Sequence, residues 1–116
     1  MAGFRLKRIY EKPSKNDGYR ILIDRLWPRG IKKKNTEIDE WIKDIGPSHD
    51  LRKWFGHKPS RFKEFAGEYL KELESRKGDL ERLRKLTETR SICLLYSARD
   101  PEHNHAKVLI AKRQNL

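Results

Sequence analysis

The chain has 116 residues, of which 35% are hydrophobic and 39% are charged, and its formal net charge is +11. A chain of this length supports one hydrophobic core, so we predict a single domain over residues 1–116. No apolar run is long enough to cross a membrane, and the single cysteine excludes an internal disulfide. These features predict a cytoplasmic protein that does not bind membranes.

The excess of positive charge is concentrated near the N-terminus. Residues 1–34 hold 11 Lys and Arg against 3 Asp and Glu, whereas residues 35–90 hold 13 against 12. Such a basic segment is typical of a protein that binds an anionic partner, either a small molecule or a nucleic acid.

The N-terminal part predicts two strands. Residues 4–10 alternate weakly between apolar and polar side chains, and residues 19–26 contain the apolar run Ile21-Leu22-Ile23, which is typical of a central strand. Residues 13–18 between them have the composition of a turn and are too few for a helical crossover, so a hairpin is predicted. The exposed loop that follows carries three consecutive lysines, Lys32, Lys33 and Lys34.

The middle of the chain has the periodicity of amphipathic helices. Thr36 and Asp39 resemble a capping box, which predicts that a helix begins there. The apolar stripe of this predicted helix is made by Ile38, Trp41, Ile42 and Ile45.

Three more helices are predicted from their end residues. Ser48 begins a short helix that Gly56 ends, and Ser60 begins a longer one that Gly78 ends. Asp79 then begins the next helix. The longer helix has its apolar positions on one face, namely Phe62, Phe65, Ala66, Tyr69, Leu70 and Leu73.

The last strand and the segment after it organise the rest of the chain. Residues 92–96 are an apolar run short enough for a strand buried on both faces, with Cys93 as a core thiol. Asp100 and Pro101 are typical of the first residues of a helix. A strand, a tight loop and a helix in this order predict an α/β fold, a small, mainly parallel sheet with helices on both faces. One face of the last helix carries Ala106, Leu109, Ile110 and Arg113.

Basic side chains follow two of the predicted strands. Arg25 and Arg29 follow the central strand, and Arg99 follows the last one. If these strands are parallel neighbours, the guanidinium groups converge at one edge of the sheet, where they suit a phosphate or carboxylate. The alternative is that Arg25 pairs with Asp24 or Asp100 and only fixes the loops.

The sequence His103-Asn104-His105 has the composition of a metal site without its spacing. Two residues apart on a helix, the imidazoles point in roughly opposite directions. We therefore predict no metal and no cofactor. Proton transfer by His103 is the better interpretation, because a histidine in a first helical turn at a strand edge can face a pocket.

Four segments together resemble one family. They are residues 17–20, 24–30, 51–57 and 94–100, the last joined by His103 and Asn104. In this order they are similar to the YeaO-like branch of the "domain of unknown function 488" family. The resemblance implies a compact α/β fold and suggests that the first strand runs parallel to its neighbours. It implies no particular activity.

The resemblance also bears on the site. Broader relatives carry cysteines where this chain has Tyr96 and Asn104, so their thiol or metal chemistry does not transfer to it. If the protein is an enzyme, His103 or Asp24 would move the proton, and Tyr96 or Asn104 would orient the substrate. The resemblance further implies that Trp54, Phe55 and His57 form part of the pocket wall.

Three interpretations remain open from the sequence. The first is binding of a small, phosphate-bearing anion through Arg25, Arg29 and Arg99. The second is nucleic-acid binding by the basic N-terminal third, in which Trp27, otherwise a core residue, would stack a base. A third possibility is a partner-binding protein with no chemistry.

Overall fold

The computed structural model describes residues 4–35 and 37–114. Within these ranges the chain forms a four-stranded, all-parallel sheet in the order β1-β4-β2-β3. Its strands are β1 (Phe4–Arg8), β2 (Tyr19–Leu22), β3 (Glu40–Trp41) and β4 (Ile92–Tyr96). The predicted α/β class with a parallel sheet is confirmed, although β1 and β2 end earlier than predicted.

The α-helices of the same ranges lie in the second half of the chain. They are α1 (His49–Phe55), α2 (Phe62–Leu73), α3 (Lys77–Leu86) and α4 (His105–Gln114). Short 3-10 turns occur at Lys15–Asp17, Lys33–Asn35, Lys43–Ile45, Pro59–Arg61 and Glu74–Arg76. No helix in the described part of the chain is long and apolar enough to span a membrane.

The predicted hairpin between the first two strands is wrong. β4 lies between β1 and β2, and Leu94 is in register with Leu6 on one side and Ile21 on the other. All five residues of β4 are buried. A strand between two neighbours has both edges paired, and this central position suits an apolar strand that is buried on both faces. The parallel direction of β1 agrees with the expectation from the family resemblance.

A buried ion cluster links the short connection between β1 and β2 to both strands. Asp17 is 2% exposed, and its carboxylate accepts hydrogen bonds from Lys7 on β1 and Arg20 on β2. Gly18 then turns the chain with a φ of 76°, where a Cβ would lie 2.5 Å from the carbonyl oxygen of Ser91. The connection can therefore be short without a helix.

The predicted helix over residues 36–45 is also wrong. Its residues from Glu37 on form an extended segment, the edge strand β3 and a 3-10 turn, while Thr36 lies outside the described residues. The free edge of β2 explains the difference, because Asp39 N donates to Arg20 O and Ile42 N donates to Leu22 O. The apolar spacing that predicts a helix here serves a strand whose side chains pack on both faces of the sheet.

The helix ends agree with the sequence only in part. Ser48 caps α1 by accepting from Leu51 N, and Gly56 ends it in the left-handed conformation, as predicted. Ser60 does not cap α2, since it lies within the 3-10 turn that precedes the helix. Gly78 lies inside α3 and Asp79 in its first turn, because the break from α2 occurs earlier, at the 3-10 turn of residues 74–76.

The last helix begins four residues later than Asp100 and Pro101 predict. Asp100 Oδ1 accepts hydrogen bonds from the amides of Glu102 and His103, which makes a tight turn rather than a helix start. Asn104 is the residue that caps α4, since its Oδ1 accepts from Lys107 N. On the predicted apolar face, Ala106 and Leu109 are buried.

The two faces of the sheet are covered differently. The larger apolar cluster contains β2 and β4 side chains of one face together with buried side chains from each described α-helix. The smaller cluster, on the other face, is covered by loop and strand residues. The described α-helices thus pack mainly on one face of the sheet, whereas the sequence predicts helices on both faces. The smaller cluster consists of Ile9, Leu22, Cys93 and Leu95, with Trp27, Ile31, Ile38 and Trp41 against it.

Candidate functional site

A cavity of about 1010 Å³ lies at the carboxyl ends of β2 and β4. The segments after these strands, 24–29 and 97–99, form one side of it, as expected for parallel neighbours. α1 and the turn after it form another side. This cavity is called the carboxyl-edge cavity below. Its charged and imidazole lining residues are Arg8, Asp24, Arg25, Arg29, His49, Arg52, Lys53, His57, Arg99, His103 and His105.

The wall of this cavity is rich in histidine and in cationic side chains. The chain has 4 histidines, and all of them line the cavity. Among the described lining residues, Asp24 is the only carboxylate, against six arginine and lysine side chains. The cavity therefore has a strongly positive wall.

Asp24 joins the segments that follow β2 and β4. It is 8% exposed, and its Oδ2 accepts hydrogen bonds from the amide of Ser97 at 3.0 Å and from the hydroxyl of Ser97 at 2.5 Å. These bonds hold the chain after β4 against the chain after β2. They also engage the Ser97 hydroxyl, which donates to the same carboxylate oxygen as the Ser97 amide.

His105 lies beneath Asp24 at the start of α4. Its Nε2 is 3.1 Å from the carbonyl oxygen of Ile23 and 3.3 Å from Asp24 Oδ1. Since a carbonyl can only accept, Nε2 carries the proton and donates to Ile23 O, which leaves Asp24 Oδ1 without a hydrogen-bond partner in the described structure. Burial lowers the pKa of His105, and the opposing effect of the Asp24 carboxylate is smaller, so the imidazole is neutral at pH 7.

Arg25 is held by the backbone of another segment. Its Nη2 donates to the carbonyl oxygen of Gly46 at 2.7 Å. Gly46 packs against the same backbone so closely that a Cβ there would lie 2.5 Å from Arg25 N. No carboxylate within residues 4–35 and 37–114 pairs with Arg25, so the alternative with Asp24 or Asp100 as its partner is wrong. Its buried Nε has no hydrogen-bond partner in those ranges.

Other arginines around the cavity are either fixed or free. Arg8 donates to the carbonyl oxygens of Ala98 and Ser97, and Arg52 donates to that of Pro47. The side chains of Arg29 and Arg99 are exposed, and neither forms an ion pair with a carboxylate in the described part of the chain. The wall therefore combines guanidinium groups held by the backbone with exposed ones that no described carboxylate pairs with.

The turn after α1 brings His57 into the wall by an uncommon backbone conformation. Gly56 has a φ of 54° and His57 a φ of 57°, so two successive residues are left-handed. The left-handed backbone conformation is unfavourable for a histidine, and non-glycine residues in this conformation cluster at functional sites. Phe55 also lines the cavity, as the resemblance implies, whereas Trp54 does not.

His103 forms a dyad with Asp100 at the rim of the cavity. Its Nδ1 is 2.8 Å from Asp100 Oδ2, and its ring packs edge-on against Phe62 with centroids 5.2 Å apart. The Asp100 carboxylate also accepts from two backbone amides. The hydrogen bonds from Glu102 N and His103 N, together with the imidazole, hold the pKa of Asp100 below its ordinary value. The dyad thus has an ionised carboxylate at Nδ1.

The remaining predicted site residues are engaged in structure. Tyr96 is 5% exposed and does not line the cavity, and burial raises its pKa. Asn104 lines the cavity, but its Nδ2 donates to Asp100 O while its Oδ1 caps α4. Trp27 also lines it, with its Nε1 donating to Ile31 O and its ring packed edge-on against Trp41.

Sequence reasoning missed several residues of the wall. Arg8 enters it because β1 pairs with β4, which the hairpin prediction excluded. His49 and Arg52 enter it because α1 packs near the carboxyl edge, and nothing local to their sequence shows this. The sequence predicts that His105 points away from His103, whereas in the structure both line the cavity, and His105 Nε2 lies 3.3 Å from Asp24 Oδ1. Within residues 4–35 and 37–114, no three His, Cys, Asp or Glu side chains are grouped so as to hold a metal ion.

Comparison with known proteins identifies the family. The family model DUF488-N3i, described as the inactive DUF488-N3 subclade, matches residues 3–114. The chain belongs to this family. It is 46% identical over 103 residues to "Uncharacterized protein YeaO" of Escherichia coli strain K12, covering 89% of this chain and 90% of that protein. It is 42% identical over 105 residues to "Uncharacterized protein Rv3073c" of Mycobacterium tuberculosis strain H37Rv, covering 90% and 88%.

The resemblance to the YeaO-like branch is thereby confirmed. It extends over nearly the whole chain, so the elements around the carboxyl-edge cavity belong to the family match. No solved structure gives a significant match.

Proposed function

We propose that the protein binds a small, phosphate-bearing anion in the carboxyl-edge cavity, with Arg25, Arg29 and Arg99 among its contacts. The observation that carries the proposal is the charge of the wall, where six cationic side chains face one carboxylate among the described lining residues. That carboxylate, Asp24, is buried and already engaged by Ser97. The positive charge is therefore left for a ligand to neutralise.

The unpartnered nitrogen of Arg25 supports the same assignment. Arg25 lines the cavity, and its buried Nε lacks an acceptor, which costs about 1–3 kcal/mol unless an oxyanion reaches it on binding. Because Nη2 is fixed on the Gly46 carbonyl, the guanidinium plane keeps one orientation. Its preorganisation reduces the entropy lost when an oxyanion binds.

Binding without turnover agrees best with the family and with the candidate catalytic groups. The family is described as inactive. Asp24 is occupied by Ser97, Tyr96 is buried, and Asn104 is used in capping. His103 differs from these three residues. Its Nδ1 contacts Asp100, but its Nε2 has no hydrogen-bond partner in the described structure.

The alternative is a nucleic-acid-binding protein that uses the basic N-terminal third. It needs Trp27 to offer a free ring face, but Trp41 packs against this ring and the Lys33 ammonium lies 5.5 Å from its centroid. The three lysines at 32–34 are exposed and supply a charged surface without a stacking platform. Trp27 therefore offers no free ring face for a base, and this favours a small anion over a nucleic acid as the ligand.

Thermal unfolding in increasing inorganic phosphate tests the proposal. We expect a saturable rise in Tm beyond that given by sodium chloride at the same ionic strength. Arg99→Ala should lose this rise, since its exposed side chain lines the cavity and is bound to nothing that the fold requires. Arg5→Ala is the matched control, because Arg5 is exposed on β1 and does not line the cavity. An equal rise in both variants would contradict the proposed site.

A further inference from the structure

We propose that His103 is a phosphoryl-accepting residue, which takes a phosphoryl group on Nε2 from a small acyl phosphate bound in the carboxyl-edge cavity. The inference rests on the proposed function, because it uses the cationic wall to hold the phosphoryl oxygens. It goes beyond that function by adding a covalent step at one named atom.

The dyad with Asp100 determines which nitrogen can react. Asp100 Oδ2 lies 2.8 Å from Nδ1, and a carboxylate there holds the proton on Nδ1. The lone pair is then on Nε2, at the opposite side of the ring. Nε2 forms no hydrogen bond to any described residue, and the side chain is 39% exposed in the cavity wall.

The ring is also fixed in orientation. Asp100 is itself held by the amides of Glu102 and His103, so the carboxylate cannot rotate away without breaking two more hydrogen bonds. Phe62 packs edge-on against the imidazole at an interplanar angle of 87°. A positioned nucleophile of this kind needs no further ordering before it attacks.

The rest of the wall suits the phosphoryl group that would be transferred. Arg25, Arg29 and Arg99 line the same cavity and can neutralise the phosphoryl oxygens as they approach Nε2. Cys93 does not compete for the phosphoryl group, because it is fully buried in the sheet.

The step balances without any further reactant. The Nε2 lone pair attacks phosphorus and forms an N–P bond, while the P–O bond of the acyl phosphate breaks and its electron pair leaves with the carboxylate. The Nδ1 proton stays between the ring and Asp100, whose charge stabilises the phosphorylated imidazolium. The product is one phosphohistidine per chain and one free carboxylate. Such a stoichiometric acceptor needs no catalytic turnover, which is compatible with the family's description as inactive.

Acetyl phosphate is the probe that tests the inference on the full chain. Intact-mass measurement at alkaline pH should show one added phosphoryl group, which peptide mapping places on His103 and which acid removes. His103→Gln should abolish the label. Arg5→Ala is the control, since Arg5 is exposed on β1 outside the cavity, and this variant should keep the label.

Asp100→Asn separates the dyad from a merely structural role. The amide oxygen still accepts from Glu102 N and His103 N, but the amide nitrogen now donates to Nδ1 and moves the ring proton to Nε2. We expect an unchanged Tm and a labelling rate at least about tenfold lower. A labelling rate equal to that of the wild type would overturn the role of Asp100.

The phosphate-dependent Tm distinguishes failure of the inference from failure of the proposed function. A Tm rise with phosphate but no label would overturn the phosphoryl acceptor and leave anion binding standing. A label on other residues, or one that survives His103→Gln, would overturn it equally. Neither a Tm rise nor a label would overturn both.

Discussion

Asp24 joins the two segments on which the carboxyl-edge cavity depends. Its Oδ2 accepts from the amide and the hydroxyl of Ser97, and its Oδ1 lies 3.3 Å from Nε2 of the neutral His105. These contacts hold the segment after β4 against the segment after β2. At the residue scale, Asp24 therefore joins the two segments that carry Arg25 and Arg99.

The thiol of Cys93 has a purely structural environment. It is fully buried in β4, and burial raises its pKa. We expect the native protein to resist alkylation that proceeds readily once it is unfolded. Cys93→Ala should lower the free energy of unfolding by about 1 kcal/mol through lost buried volume. Mass spectrometry and urea titration measure the two effects, and rapid labelling of the folded protein would contradict this environment.

At the scale of elements, two glycines should respond oppositely to alanine. A Cβ at Gly46 would lie 2.5 Å from Arg25 N, whereas one at Gly67 on α2 meets nothing within 4 Å. Gly46→Ala should therefore destabilise the fold by about 1–3 kcal/mol through overpacking and displace Arg25. Gly67→Ala should stabilise it by about 1 kcal/mol through helix propensity. Urea unfolding of both variants measures the contrast, and similar stabilities would refute it.

The ion cluster that joins β1 to β2 should appear in the pH dependence of stability. Burial acts to raise the pKa of Asp17, but the Ser14 amide, Lys7 and Arg20 outweigh it and hold the pKa below its ordinary value. Ionised Asp17 thus stabilises the fold above its unfolded pKa of about 4, and this contribution is lost as pH falls through the lower, folded value.

Asp17→Asn should reveal this contribution. We expect it to lower the free energy of unfolding at pH 7 by about 3 kcal/mol, because it leaves Lys7 and Arg20 without their buried partner. The difference from the wild type should narrow at acid pH, below about 4. Chemical denaturation across this range measures it, and a difference independent of pH would rule out the carboxylate as its source.

Several elements were predictable because their signals are local. The five residues of β4 are apolar without interruption, and α1 lies between a Ser48 cap and a left-handed Gly56. The structure of segment 36–45 was not predictable, because apolar side chains at helical spacing also fit an edge strand followed by a 3-10 turn. That outcome depends on the unpaired edge of β2, which is a tertiary property.

At the scale of the whole molecule, the site was predictable where it follows strand ends. Arg25, Arg29 and Arg99 meet in one cavity because β2 and β4 are parallel neighbours. Arg8, His49 and Arg52 were not predictable, since β1 pairing and α1 packing bring them there from distant parts of the chain. The concentration of charge therefore becomes visible only in the assembled fold.

The net charge of +11 predicts weak attraction to nucleic acid at low ionic strength. We expect oligonucleotide binding to become negligible near 0.15 M salt, where screening acts over about 8 Å. Fluorescence anisotropy over a salt series measures this. Tight binding at that salt concentration, abolished when Lys32, Lys33 and Lys34 are replaced together, would favour the nucleic-acid alternative.

The most direct measurement of anion binding is a phosphate titration followed by NMR at the arginine Nε–H groups of the nitrogen-15-labelled chain. Arg25 Nε, which has no acceptor in the described structure, and Arg99 Nε should shift together along one saturable binding curve. Arg5 Nε, outside the cavity, should not follow that curve. If no arginine shifts saturably, or if Arg5 shifts as Arg25 does, the carboxyl-edge cavity is not a phosphate site.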